Sequence, residues 1–158
     1  MNKKTPFRKR LLLIDSSLLM LPVSGRRKKY INIENALFLV SEGMQLAVLD
    51  STIEELEIIQ SKKIGKKKLA ADFALELIKR MKIPILKVDD DIREEVKKKA
   101  KELRKWEISD EILARMAKRL NAAVATTDLE LKEKLRKMGI PVLYLRGKKW
   151  LLFEPQVY

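Results

Sequence analysis

The residues best placed to do chemistry in this chain are acids that follow short apolar runs. Asp15 follows the run at 11–14, Asp50 the run at 46–49, and Thr126, Thr127 and Asp128 the run at 122–125. Glu54, Glu55 and Glu57 come just after Asp50, and Asp110 opens the segment DEILARMAKRL. The chain has no histidine and no cysteine. That excludes imidazole acid–base catalysis, Ser-His-Asp triads, thiolate nucleophiles and Cys- or His-based metal sites. Carboxylates without histidine suit a hard, oxygen-preferring cation, Mg²⁺ or Mn²⁺. Such an ion can activate water, orient a phosphate and stabilise a leaving oxygen. One ion or two would fit this pattern.

Each acid also has a plainer reading. An aspartate after a strand commonly caps the next helix, and Asp128, Asp110 or Asp91 taken alone would do that. Their combination argues for more. At ~100° per residue, Ile112, Leu113, Ala114, Met116, Ala117 and Leu120 form one apolar arc. Asp110 falls inside that arc, whereas Glu111, Arg115, Lys118 and Arg119 fall outside it. An inward carboxylate is costly unless it is paired, hydrogen-bonded or bound to a cation. A helix starting at Asp110 would soften that cost. After Asp50 the count is less decisive. Ile53, Leu56 and Ile59 define the buried side, Glu55 and Glu57 flank it, and Glu54 lies outside, so Glu55 and Glu57 compete.

The elements that must position these acids follow from the pattern. Strands are expected at 11–14, 46–49, 85–88, 122–125 and 141–145, with an added edge strand at 149–153. Helices are expected at 33–41, at 52–60 with Ser51 or Thr52 as cap, and at 69–81 with Ala70, Phe73, Ala74, Leu77 and Ile78 inward. A charged helix should run from the Asp89–Asp90–Asp91 triplet to about Trp106, followed by helices at 110–120 and 129–138, with a loop around Pro22 and Gly25. This alternation makes an α/β fold with a mostly parallel sheet of about five strands, whose carboxyl ends form one edge where ligands bind. The expected organisation is a basic tail at 1–10 and a single domain at 11–158. The start imitates a signal peptide, but Asp15, Ser16 and Ser17 interrupt the apolar run, and no stretch reaches the ~18 apolar residues of a membrane span. A cytoplasmic protein without membrane contact is expected.

The balance of 35 Lys+Arg against 22 Asp+Glu gives a formal charge of +13. That excess favours polyanions through counterion release and steering. Candidate phosphate contacts are Arg26, Arg27, Lys28 and Lys29 with Tyr30 beside them as a stacking group, then Lys62, Lys63, Lys66, Lys67 and Lys68, and the tail residues Lys3, Lys4, Arg8, Lys9 and Arg10. Any of these runs could equally be a solvated face. Trp106 and Trp150 read as packing residues. Gly65-Lys66-Lys67-Lys68 lacks the first glycine and the Ser/Thr of a phosphate loop.

Four segments, LLLIDSSLL, LAVLDSTIEELE, ISDEILARMAKRL and AVATTDLELKEKLRKMGIPVLYLR, together resemble PIN-domain proteins. The last is the most specific, with Thr-x-Asp closing a strand, an acid two residues on, a basic helix and then Gly-Ile-Pro-Val. The resemblance implies a Rossmann-like three-layer α/β/α sandwich and Mg²⁺- or Mn²⁺-dependent cleavage of single-stranded RNA. It implies Asp15, Glu55, Asp110 and Asp128 as the catalytic and metal-holding acids, and so prefers Glu55 to Glu57. Glu130 matches a peripheral acidic position, Thr126 a hydroxyl that orients a carboxylate or water, and Ser17 a supporting polar position where many members carry Asn. The likeness is strongest to archaeal and eukaryotic PIN proteins of small-subunit ribosomal RNA processing, and lesser to VapC toxins. It implies an endoribonuclease of RNA maturation or quality control. The alternatives are a toxin ribonuclease restrained by an antitoxin and a non-catalytic RNA-binding module with a ribosome-assembly partner; a homodimer is a further expectation. Products with 5′-phosphate and 3′-hydroxyl ends would follow from attack by water.

Overall fold

The computed structural model describes residues 9–24, 32–103, 105–146 and 149–155, leaving aside the side chains of 22–24, 105 and 106. The basic run Arg26, Arg27, Lys28, Lys29 with Tyr30, the tail residues Lys3, Lys4 and Arg8, and the side chain of Trp106 lie outside the described residues. The sheet is built from β1 (Arg10–Ile14), β2 (Met44–Leu49), β3 (Ile85–Leu86), β4 (Ala123–Thr126), β5 (Val142–Arg146) and β6 (Lys149–Phe153), in the order β3-β2-β1-β4-β5-β6. All pairings are parallel except β5 with β6. The expected edge strand is therefore present, and the sheet has six strands rather than about five.

Side-chain alternation along the strands explains the three layers. Leu12 and Ile14 of β1, Leu46 and Val48 of β2, and Ala123 and Ala125 of β4 enter one core. Their neighbours Leu13, Ala47, Leu49 and Val124 enter the other. From Leu12 in β1, Leu46 in β2 and Ala123 in β4 to each strand's end, every position is buried on one face or the other, so these stretches read as apolar runs. The first core is covered by residues of α1 (Ser16–Ser24), α2 (Ile33–Ser41), α3 (Asp50–Lys62) and α4 (Lys66–Arg80). The second is covered by α5 (Asp90–Lys98), α6 (Lys105–Leu120) and α7 (Leu129–Lys137). Strand order reverses between β1 and β4, which makes the crevice at their carboxyl ends the topological switch point of the sheet.

Some local expectations are corrected. The loop expected after β1 begins as helix α1, because an apolar stretch containing Pro22 hides helical spacing. Neither Ser51 nor Thr52 caps α3. Its N-cap is Leu49, without a side-chain cap, and both hydroxyl residues are buried in the first turn. The long charged helix is two helices, α5 ending at Lys98 and α6 starting at Lys105. After Ile92 and Val96 the inward stripe would have had to continue through Lys99, which favours a break. Asp110 therefore sits in the second turn of α6, away from the free N–H groups of its start. Asp89 and Asp91 do more than favour a helix start, since both pair with Arg119 of α6, at 3.0 and 2.7 Å.

Candidate functional site

β1 ends directly before Asp15, and β4 ends at Thr126 with Asp128 two residues on, so the crevice receives acids from both sides. Asp15 is held in place by its backbone and by its carboxylate. Its N–H bonds Ala125 O at 2.9 Å, extending the β1–β4 pairing. Its Oδ2 accepts from Ser17 Oγ at 2.5 Å and from Thr126 Oγ1 at 2.9 Å. Thr126, 0% exposed, accepts in turn from the Asp128 N–H at 3.0 Å, and Thr127 Oγ1 donates to Ser17 Oγ at 3.2 Å. Asp128 also caps α7, its Oδ1 accepting from Leu131 N at 3.2 Å. The capping reading of Asp128 is thus correct, and it coexists with a place beside Asp15.

Glu55 enters from α3, where Ser109 Oγ of α6 donates to it at 3.0 Å and the Ser16 hydroxyl supplies a second bond. Glu57 is exposed, whereas Glu55 is partly buried against Ser109 and Ser16, and that packing separates the two competitors. Asp50 lies elsewhere, accepting from Val88 N and Arg93. Glu130 is exposed, with no hydrogen bond or ion pair among the described residues. Lys66 and Lys67 are exposed in the first turn of α4, and no described contact joins them to the acids.

Electrostatics tie the acids together. Burial pushes the Asp15 carboxyl above its ordinary range, opposed by the Ser17 and Thr126 bonds and reinforced by repulsion from Asp128. Burial and then the Asp15 charge raise Glu55, opposed by Ser109 and Ser16. Asp110 is pushed up to about 7 by burial, then by repulsion from Asp15, Asp128 and Glu55, with Lys134 opposing. These groups resist ionising together, as carboxylates sharing one site do. Among the described residues no three acids converge tightly enough to hold a metal ion as they stand. Their chemistry nevertheless fits one, being all oxygen donors whose repulsion a divalent cation would relieve.

Ser16 and Ser109 are the site residues that sequence reasoning missed. Each adjoins a core acid, in Ile-Asp-Ser-Ser and Ile-Ser-Asp-Glu, and adjacency to Asp15 and Asp110 was the only signal. Their partner is Glu55, on another helix.

A Rossmann-like sheet with buried and half-buried acids at its switch point defines a class of α/β proteins with oxygen-donor sites. Within that class the chain belongs to the PIN-like domain family, whose model matches residues 12–148. It is similar to Ribonuclease VapC4 of Methanocaldococcus jannaschii, at 36% identity over 109 residues, covering 67% of this chain and 70% of the relative. Its fold is like that of a chain of VapBC2 from Rickettsia felis bound to a DNA fragment from their promoter, with TM-score 0.60, 14% identity, and 86% and 99% of the two chains covered. It is also like a domain of a functionally unknown protein from Methanocaldococcus jannaschii, with TM-score 0.55, 14% identity, and 94% and 98% covered. The sequence relative is a VapC ribonuclease, so this likeness supports nearness to VapC proteins and lends no support to the expected nearness to ribosomal RNA processing. No helix among the described residues is long and apolar enough to cross a membrane.

Proposed function

We propose that the chain is a metal-dependent endoribonuclease of the VapC type, cutting single-stranded RNA in the cytoplasm and restrained by an antitoxin. The observation that carries this reading is the mutual repulsion of Asp15, Glu55, Asp110 and Asp128 around the end of the β1–β4 crevice. Kinship with a named VapC ribonuclease and fold likeness to a VapBC structure support it. The ribosomal RNA role draws no support from those relatives and is not carried further.

In this reading Asp15, Glu55, Asp110 and Asp128 would hold Mg²⁺ or Mn²⁺. Such an ion would supply water activation and charge stabilisation for hydrolysis of a phosphodiester. Ser17 and Thr126 fix the Asp15 carboxylate by both donating to its Oδ2. Ser109 and Ser16 fix the Glu55 carboxylate by donating to it from two other helices. Thr126 links the two strand ends, because its hydroxyl serves Asp15 and the Asp128 backbone at once.

The test is cleavage of a labelled single-stranded RNA in Mn²⁺, Mg²⁺ or EDTA, with Asp110→Asn alongside. Metal-dependent cutting, lost in the variant and leaving 5′-phosphate and 3′-hydroxyl ends, is expected. Ends bearing a 2′,3′-cyclic phosphate, or equal cutting by both proteins, would overturn the mechanism. The antitoxin part is tested separately, by purifying the chain with the product of any short reading frame adjoining its gene and asking whether that product suppresses cutting.

A further inference from the structure

A groove of about 570 Å³ lies between α3 and α6, with Glu55 and Ser109 among its lining residues. Its walls are mostly apolar, with Ile58 and Ile59 from α3 facing Ile108 and Ile112 from α6. Ile58 is 45% exposed and presents apolar surface at the open side of the groove. Lys62 and Lys63 line the groove at the end of α3, both exposed and in no ion pair among the described residues. Of the other charges in the wall, Arg93 pairs with Glu54 at 3.1 Å, and Glu55 is hydrogen-bonded by Ser109. The groove therefore has an acid at one end, an apolar middle, and two free cations at the other. Glu55 and Lys62 are about 10 Å apart along the helix, at 1.5 Å per residue.

We propose that this groove is a base-binding subsite for the RNA strand, taking the base of a nucleotide next to the scissile bond. The proposal rests on the nuclease reading for its substrate and adds a specificity site to it. A nucleotide combines a flat, largely apolar base with an anionic phosphate. The isoleucines cover the base, while Lys62 and Lys63 meet the phosphate that follows it. An apolar peptide would cover the isoleucines equally well but would leave the two lysines without counter-charge. One or two nucleotides of an extended strand span the distance from Glu55 to Lys62, so a strand lying across the acids runs directly into the groove. Aliphatic walls give shape selection, and hence a preference in base size at one position of the substrate.

The test is fluorescence anisotropy in EDTA, with a labelled short single-stranded RNA and a series in which one nucleotide at a time is abasic. One abasic position should weaken binding to the unaltered protein about tenfold, as loss of one well-covered base does. Ile58→Asp should weaken the intact RNA by a similar factor and add nothing when that position is already abasic. Lys62→Ala with Lys63→Ala should weaken every RNA and flatten the salt dependence. Penalties that multiply, or an abasic series with no sensitive position, would overturn the subsite. Unchanged RNA binding by Ile58→Asp, with loss of a protein that otherwise co-purifies, would assign the groove to a protein partner and overturn it too. The abasic series needs only the unaltered protein, so the outcome does not depend on variants folding. No turnover is required either. A protein that never cuts but shows the abasic effect loses the nuclease reading alone, and one that cuts without the effect loses the subsite alone.

Discussion

Removing the charge of Asp110 should stabilise the cation-free protein, and the effect should depend on pH. Asp110 is pushed up to about 7 from an ordinary 3.8, chiefly by burial and by the Asp15 charge. Roughly three units at 1.36 kcal/mol each set a ceiling of about 4 kcal/mol. Asp15 and Glu55 are raised as well, so protonation of either relaxes part of the repulsion. About half the ceiling, ~2 kcal/mol, is the expected gain from Asp110→Asn in EDTA at pH 8. Between pH 4 and 7 the folded state holds a proton at Asp110 that the unfolded chain has released, so the stability of wild type relative to Asp110→Asn falls as pH rises and levels off above about 7. Below about pH 4 the two proteins should converge. For a chain of this size ~2 kcal/mol moves Tm by about 4–8 °C. Melts from pH 4 to 8 measure this, and repeating them with Mn²⁺ should favour the wild type, because binding to the folded state alone raises its stability. A variant less stable than wild type at pH 8, or a difference that ignores pH, would refute the reasoning and make Asp110 a structural residue.

Thr126→Val removes a buried hydroxyl that serves Asp15 and Asp128 together. It should cost about 1–3 kcal/mol in urea denaturation. A change within about 0.5 kcal/mol, the usual range of surface substitutions, would show that the hydroxyl links nothing. Ser109→Ala removes a bond that lowers the Glu55 carboxyl, so the acidic limb of metal-dependent cleavage should move to higher pH; an unmoved limb would dismiss Ser109 as a positioning residue. Gly139→Ala introduces a side chain at φ +76, where its nearest new neighbour is Lys118 Nζ at an ordinary 3.6 Å. Strain without a clash should cost about 1–2 kcal/mol, equally with and without Mn²⁺, as chemical denaturation will show.

The strands were legible because the carboxyl-terminal stretches of β1, β2 and β4, from Leu12, Leu46 and Ala123 onward, are buried on one face or the other and read as apolar runs. Helix α1 was not, since Ser16 and Ser17 directly after Asp15, together with Pro22, resemble a loop as much as a helix start. The break between α5 and α6 was invisible for a related reason. The Lys-rich stretch at 97–101 has good helix propensity, and the helix stops because of what the next turn would have to bury. That error carried into the site, where Asp110 was given help from a helix start that lies five residues earlier. Asp15, Asp110 and Asp128 could be placed by strand ends and helical phase. Glu55 could not be separated from Glu57 in that way, because the difference lies in Ser16 and Ser109, residues brought to Glu55 by tertiary packing. Asp128 shows that a cap and a site position are compatible, so the capping argument was sound and did not exclude the other role.

The same acids bear on how RNA approaches. Taking Asp15, Glu55, Asp110 and Asp128 out of the count changes the formal charge from +13 to +17 for the rest of the chain. At long range RNA is drawn to the protein. Within a Debye length of about 8–10 Å the crevice opposes it, because a phosphate there faces carboxylates rather than lysines. Without a divalent cation the strand should therefore bind around the acids and avoid direct contact with them. One carboxylate at roughly 8 Å from a phosphate in water contributes ~0.5 kcal/mol. Asp110→Asn should then bind single-stranded RNA about two- to threefold more tightly than wild type in EDTA at pH 8, and equally at pH 5, where Asp110 is neutral in both. Anisotropy titrations at the two pH values measure this. Equal affinity at pH 8 would mean that the cation-free strand stays beyond reach of the acids, and would refute this account of how RNA approaches the crevice.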